Sequence, residues 1–403
     1  MRREGTTMLN QQAVQYGEAR SVIRELFEYG NQRAKIVGRE NVYDFSLGNP
    51  SVAPPPQVGE EIQRLLRETD PCALHGYTSA PGDPEARARM ADSISRRFGA
   101  DCRGGELYLT AGAAAGLCCC LHGLCNPGDE VVVFAPFFPE YGVFIQGAGA
   151  VMRIVPPEIE GFQIDFDALE RTITPKTKAL IVNSPNNPSG AVYSRETLAQ
   201  LAGLLEQRQR EYGHPIYLIS DEPYREIAFA GVEVPWIPGL YRNTLVCYSW
   251  SKSLSLPGER IGYVYVPGQV EDSKRVYATV AGAGRMLGYV CAPSLIQRVA
   301  AACCDLTADL SVYETNAKLL MEGLGEMGYQ CVAPKGTFYL FPRSLEPDDM
   351  AFCRAAQALD LLIVPGSGFA CPGHVRISYC VPTQRIQRAL PVFRKLAEQY
   401  AKA

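Results

Sequence analysis

Thr244-Leu-Val-Cys-Tyr-Ser-Trp-Ser-Lys-Ser-Leu-Ser-Leu-Pro-Gly-Glu-Arg-Ile-Gly-Tyr-Val-Tyr-Val266 sets two apolar runs of β character on either side of a Ser-, Gly- and Pro-rich loop. The loop carries Lys252 among Ser249, Ser251 and Ser253, and Arg260 just before the second run. A lysine at the mouth of an apolar strand has little to offer packing. An amine held partly out of water has its charged form disfavoured, which makes it a nucleophile able to form a Schiff base with a carbonyl. The serines and the planar, permanently charged guanidinium of Arg260 suit a phosphate. The stretch reads as an anchor for a phosphorylated, carbonyl-bearing cofactor.

Working outward, short apolar runs alternate with helical ones. Glu106–Thr110, Glu130–Ala135, Val151–Val155, Ala179–Asn183, Ile216–Ser220 and Leu245–Tyr248 read as strands. Ala113–Leu124, Phe138–Gly147 and Glu196–Arg210 read as helices, the last with Leu198, Leu201, Leu204 and Leu205 on one face. Apolar strands alternating with helices imply an α/β fold, a mostly parallel sheet sandwiched by helices. Ligands gather at the carboxyl ends of such strands. Gly112, Asn187, Asp221, Tyr224 and Lys252 all fall just past a strand.

On the N-terminal side, 1–41 reads as one or two amphipathic helices with Val22, Ile23, Leu26 and Phe27 as the apolar stripe. A strand Val42–Ser46 follows, then Gly48, a stiff Pro54-Pro55-Pro56 opening a helix with Ile62, Leu65 and Leu66, and a helix capped by Asp83 and Pro84 that stops near Gly99. Beyond Pro293 the pattern changes. A long helical stretch from Leu295 to Met327 leads to Gly336–Phe341, a helix near Asp348–Leu359, runs at Leu361–Pro365 and His374–Tyr379, and a final helix carrying Ile386, Leu390, Phe393 and Leu396. The expected division is a large domain over 48–293 and a smaller α+β domain made of 1–47 plus 294–403.

The totals fit a soluble globular chain of 403 residues: 47% hydrophobic, 20% charged and net charge −4, with no basic block. Nucleic acid and an anionic membrane are poor partners for it, and no apolar run approaches membrane-span length. Fourteen cysteines are scattered without a Cys-x-x-Cys, and the four histidines have no metal-like spacing. Cysteine packed as a small apolar residue in a reducing cytoplasm is the expectation, with no disulfide and no metal.

Two further stretches join the lysine loop, whose specific part runs from Ser249-Trp-Ser-Lys-Ser253 through Gly258-Glu-Arg260: Asn183-Ser-Pro-Asn-Asn-Pro-Ser-Gly190 and Asp221-Glu-Pro-Tyr224. With them, nearly the whole chain resembles the class I, fold-type-I, pyridoxal-phosphate-dependent aminotransferases. The resemblance implies that Lys252 carries the Schiff base and shuttles the proton, and that Asp221 keeps the pyridine nitrogen protonated. It also implies that Tyr224 and Asn187 hydrogen-bond the phenolic oxygen of pyridoxal 5'-phosphate. It puts the phosphate at Gly112, Ala113 and Ala114, with Ser249 and Arg260 completing the cup and Phe138 stacking on the ring. Many relatives place Ser or Thr where Ala114 stands, so this cup leans on backbone N–H groups. Arg376, in His374-Val-Arg-Ile-Ser378, matches the arginine that grips the substrate carboxylate, aided by Gly48 and Asn187.

Tyr77, in His75-Gly-Tyr-Thr-Ser-Ala-Pro-Gly82, matches a tyrosine given to the neighbouring subunit, which implies a homodimer. The reaction implied is amino-group transfer between an amino acid and a 2-oxo acid by a ping-pong route, with aspartate and 2-oxoglutarate among the candidate pairs. A β-lyase acting on C–S bonds, or other chemistry at Cα on the same fold, stays open as the alternative. A non-catalytic regulator is disfavoured by an N-terminal segment too short and too little basic for a DNA-binding domain. Gly282-Ala-Gly-Arg-Met-Leu-Gly288 lacks a clear preceding strand and reads as a turn or interface. For the substrate side chain, Arg285 offers a second cation from the neighbouring subunit, whereas Phe338, Tyr339 and Phe369 offer an apolar pocket.

Overall fold

The computed structural model describes residues 9–18 and 22–401, so the parts of the expected N-terminal helices at 1–8 and 19–21 lie outside the described residues. A two-residue strand, β1 (Tyr43–Asp44), precedes seven strands: β2 (Leu107–Thr110), β3 (Glu130–Phe134), β4 (Val151–Val155), β5 (Thr177–Asn183), β6 (Tyr217–Asp221), β7 (Thr244–Ser249) and β8 (Gly262–Tyr265). These seven form one sheet in the order β2-β8-β7-β6-β5-β3-β4. Strands β3 to β7 run parallel, and β8 is antiparallel to both β7 and β2. The chain has the expected α/β fold.

Period-two alternation assigns each strand residue to a face. Val131, Val133, Ile181, Ile219, Leu245 and Val264 pack with Leu117, Cys120 and Leu121 of the Ala113–Leu124 helix. Val132, Leu180, Val182 and Leu218 pack on the opposite face with Leu198, Leu201 and Leu205. Leu107, Leu109, Val246 and Tyr263 pack with Met90 and Ile94, whose helix Pro84–Phe98 starts on Asp83 and ends at a left-handed Gly99. Each fully buried aliphatic side chain contributes about 1.5–3 kcal/mol. Sealing both faces leaves the strand ends as the place where polar groups concentrate.

The register aligns those ends. Asn183 pairs with Asp221 across β5 and β6, and Asp221 with Cys247 across β6 and β7. Lys252 follows on a one-turn helix, Trp250–Ser253.

The C-terminal strands are β9 (Tyr339–Leu340), β10 (Leu361–Leu362), β11 (Val364–Pro365) and β12 (Val375–Ser378). Strand β12 lies between β11 and β9, antiparallel to both, while β1 pairs in parallel with β10. The Arg33–Asp360 ion pair at 2.6 Å reinforces that junction of N- and C-terminal segments. The helices Ser311–Gly325, Asp349–Ala358 and Thr383–Tyr400 cover the small sheets through Leu320, Phe352, Ile386 and Phe393. No helix among the described residues is long and apolar enough to cross a membrane.

Three expectations need correction. The helix expected over 295–327 is two, Ser294–Ala302 and Ser311–Gly325. The break is held from outside: Ala308 N donates to Ser253 O at 2.8 Å, and Asp305 accepts from Arg96 at 2.8 Å. The strand expected over 42–46 is only β1, because Asp44 Oδ1 accepts from Ser46 N and Oγ and turns the chain. Phe27 and Leu66 are exposed rather than facing a core.

Candidate active site

A cavity of about 270 Å³ opens over the carboxyl ends of the central strands. Its wall brings together Gly48, Ala113, Ala114, Phe138, Asn187, Asp221, Tyr224, Ser249, Lys252, Arg260 and Arg376, contributed from distant parts of the chain. Gly112 sits just behind the wall as the residue capping the Ala113–Leu124 helix. A wider surface cleft of about 520 Å³ beside Phe98, Trp236 and Gln269 holds none of these groups.

Lys252 Nζ donates to the Gly48 carbonyl at 2.6 Å. Burial chiefly, with Arg260 and Arg376 adding repulsion and the Cys380 thiol opposing it, lowers the amine to a pKa of about 8. A substantial neutral fraction is thus present near physiological pH, the form a nucleophile requires.

Asp221 is the second perturbed group. Its Oδ2 accepts from the Tyr141 hydroxyl, and Oδ1 is buried with no partner. Burial raises the carboxyl to about 7, against the opposing Tyr141 hydrogen bond. A carboxylate oxygen with no donor in a buried wall is strained energetically until a donor arrives. Asn183 holds this corner, donating from Nδ2 to the Asp221 carbonyl at 2.9 Å and accepting from Asn187 N at 2.8 Å.

Around it, the Tyr224 hydroxyl lies 3.1 Å from that of Tyr339. Burial first, then Tyr339, pushes the Tyr224 pKa well up, so its proton is retained for donation. Phe138 meets the Tyr141 ring edge-on, with centroids 5.7 Å apart.

The anion-binding corner is built by a helix start and one arginine. Gly112 adopts φ +86° and a Cβ there would meet Arg260 Nη2 at 2.6 Å, so glycine is needed for the guanidinium to close in. The first N–H groups of the Ala113–Leu124 helix have no intrahelical acceptor and favour an anion. Arg260 donates to the carbonyls of Pro257 at 2.9 Å and Ala111 at 3.3 Å, and Ser249 is buried beside it.

Arg376 occupies the opposite end. Its Nη1 donates to Asn187 Oδ1 at 3.1 Å and its Nη2 to Ser46 O at 2.5 Å, while Nε is buried without a partner. Burial lowers this guanidinium from its ordinary value, yet among the described residues no carboxylate is bonded to it. It lies over two rings, 4.7 Å from the centroid of Tyr339 and 4.9 Å from that of Phe369.

The two residues expected to serve a neighbouring subunit lie outside this chain's own cavity. Tyr77 is 92% exposed and outside the cavity wall. Arg285 is exposed near the end of the Ser273–Met286 helix, so it faces no substrate in its own chain's cavity. The Gly282–Gly288 run is that helix end and the turn after it. Sequence reasoning missed Tyr141, Asn183 and Ser46. Tyr141 could have been found three residues after Phe138, in the first turn of the helix Glu140–Gly147, which starts two residues later than expected; nothing in the sequence marked Ser46.

The comparisons with known proteins follow the geometry. The family model for aminotransferase class I and II matches residues 40–393. The aspartate/prephenate aminotransferase of Thermus thermophilus is 31% identical over 377 residues, 91% of this chain and 94% of that one. Aromatic-amino-acid aminotransferase 2 of Thermococcus litoralis is 28% identical over 397 residues, 94% and 96% of the two chains. The crystal structure of an amino transferase from Eubacterium rectale superposes with a TM-score of 0.96 at 53% identity, covering 98% of this chain and 99% of that one. Family and cavity agree, and the chain belongs to the class I and II aminotransferases, pyridoxal-phosphate-dependent enzymes that move an amino group between an amino acid and a 2-oxo acid.

Proposed function

We propose that this cavity is the transamination site, with Lys252 as the nucleophile and proton carrier and Asp221 as the partner of the cofactor's ring nitrogen. The observation that carries the reading is the bare Asp221 Oδ1, a buried acceptor awaiting an N–H donor. The residues fit pyridoxal 5'-phosphate on further grounds: the lowered Lys252 pKa, and the glycine-permitted approach of Arg260 to a helix N-terminus. When bound, the cofactor supplies an aldehyde for the amine and a ring that withdraws the electron pair left at Cα.

The chain's own groups do the rest. Asp221 would hold a proton on the ring nitrogen, with Tyr141 fixing the carboxylate and Asn183 the backbone that carries it. Tyr224 Oη and Asn187 donate to the phenolic oxygen, and Phe138 covers a ring face. Gly112, Ala113, Ala114, Ser249 and Arg260 hold the phosphate. Arg376 grips the substrate carboxylate with Asn187 and the Gly48 backbone beside it. Lys252 Nζ, once free, would take a proton from the substrate Cα and return it at the carbon that brought the cofactor's aldehyde. We read 48–293 as the body holding the cofactor, and 1–47 with 294–403 as the body bringing Arg376.

The same reading makes the enzyme a homodimer in which the exposed Tyr77 reaches the phosphate of the neighbouring site. It places the enzyme in the cytoplasm, where fourteen thiols remain reduced. For the substrate, three basic side chains line the cavity among the described residues: Lys252, Arg260 and Arg376. Each has a role above, and Ile23, Leu47, Leu117, Phe138 and Tyr339 add apolar surface to the lining. Among the described residues the lining therefore suits an apolar donor side chain better than the second carboxylate of aspartate. Absorbance spectra of the holoenzyme, taken with single amino acids and then with 2-oxo acids, test the reading. Loss of the visible band with a donor and its return with an acceptor support transamination. Release of pyruvate and ammonia with no acceptor would favour the β-lyase instead.

A further inference from the structure

We infer that Tyr339 is a positioning residue that sets Arg376 and Tyr224 together, so that one side chain aligns the substrate clamp with the phenol facing the cofactor. The inference rests on the roles proposed above for those two residues.

Three observations converge on Tyr339. The first is its ring. Tyr339 pairs with Ser378 across β9 and β12, so Arg376, two residues along β12, lies on the same face as that pair. The guanidinium carbon sits 4.7 Å from the Tyr339 centroid and 4.9 Å from that of Phe369. An unpaired, desolvated guanidinium needs such a face to stay in place while its forward donors are free. With the Asn187 and Ser46 bonds, the two rings fix the plane in which a carboxylate can meet it.

The second is its hydroxyl. Tyr339 is buried, and its Oη lies 3.1 Å from Tyr224 Oη. Only one of two facing hydroxyls can donate to the other. When Tyr224 gives its proton to the cofactor, Tyr339 becomes the donor and Tyr224 oxygen the acceptor. A hydrogen bond received at that oxygen strengthens the one Tyr224 gives.

The third is the space allowed for it. A Cβ at position 48 would fall onto the Tyr339 hydroxyl, 2.9 Å from Cζ and 3.2 Å from the Phe338 ring. Glycine at 48 thus leaves the slot in which the hydroxyl reaches Tyr224. The Gly48 carbonyl meanwhile accepts from Lys252. Nothing in a packing role alone explains why the polar end of a buried tyrosine points into the catalytic wall.

The test compares Tyr339→Phe, Tyr224→Phe and the double variant as holoenzymes. The primary readout is the pH midpoint at which the bound cofactor's visible absorbance changes. A weaker hydrogen bond leaves the cofactor's phenolic oxygen more electron-rich, so its proton is lost at higher pH. Tyr339→Phe should raise the midpoint by roughly 0.3–1 unit, less than Tyr224→Phe does, and the double variant should match Tyr224→Phe alone. In Tyr339→Phe the ring remains, so KM for the amino acid should stay within about twofold, whereas Tyr339→Leu should raise it about tenfold. Should Tyr339→Leu fail to fold, Gly48→Ala provides an independent route, because it displaces the hydroxyl and should reproduce the upward shift. A midpoint unchanged in Tyr339→Phe, with a clear shift in Tyr224→Phe, overturns the inference alone. No shift in Tyr224→Phe overturns the reading of Tyr224 and the inference with it.

Discussion

Asp221 gives one carboxylate oxygen to the Tyr141 hydroxyl and leaves the other buried and bare, facing the cavity that Lys252 closes from the next strand end. Asp221→Asn keeps the shape and removes the charge. The variant is expected to bind the cofactor yet lose about 10³-fold or more in kcat, since an amide cannot hold the ring nitrogen's proton. Steady-state kinetics alongside cofactor stoichiometry check this; near-normal kcat would remove Asp221 from the chemistry.

The two perturbed groups give opposite pH signatures in cofactor-free protein. Asp221 is raised from 3.8 to about 7, so between those values the folded state holds a proton that the unfolded state has released. Its contribution to stability is present at low pH and falls as pH rises through that window. Lys252 is lowered from 10.5 to about 8, so across that window the unfolded state holds the extra proton and stability rises with pH, by roughly 3 kcal/mol at most. Thermal melts at stepped pH should show the first slope disappear in Asp221→Asn and the second in Lys252→Met. Slopes identical to those of the parent protein would contradict the burial assigned to both.

Arg376→Lys retains a positive charge without the planar fork. KM for amino acid and 2-oxo acid is expected to rise about 10- to 100-fold, with a smaller change in kcat. Equal loss with a substrate analogue lacking the α-carboxylate would show that Arg376 acts elsewhere.

Gly112→Ala forces a side chain into a φ of +86° and against Arg260. Cofactor affinity should drop about tenfold or more while the apo-protein melts within a few degrees of the parent. Equilibrium dialysis with pyridoxal 5'-phosphate measures it directly, and an unchanged affinity would move the phosphate away from this helix start.

A shared site makes a mixing experiment decisive for Tyr77. Lys252→Ala and Tyr77→Phe homodimers are each impaired if both assignments hold. In hybrids, one site combines the intact lysine of one chain with the intact tyrosine of the other, and activity should recover above either parent. No recovery on subunit exchange would confine Tyr77 to its own chain.

Much of this was legible before any coordinates, and for identifiable reasons. Strands sealed on both faces announce themselves by composition, and the Ala113–Leu124 helix was bounded to the residue because Gly112 caps it. Lys252, Asp221 and Asn187 were legible because their motifs sit directly after strands. Long-range contacts were not. The break near Ala308 depends on the Ser253 carbonyl, fifty-five residues earlier, and Ser46 matters only because Arg376 reaches its carbonyl. The early end of β1 was a local matter, an Asp44 turn that an apolar flank concealed.

The central claim is that the Lys252 amine bonds to the cofactor. Borohydride reduction of the holoenzyme, followed by peptide mass mapping, tests it most directly. The cofactor-derived mass should appear on the peptide containing Lys252 and be lost in Lys252→Ala. A stoichiometric adduct on any other lysine of an active enzyme would contradict it.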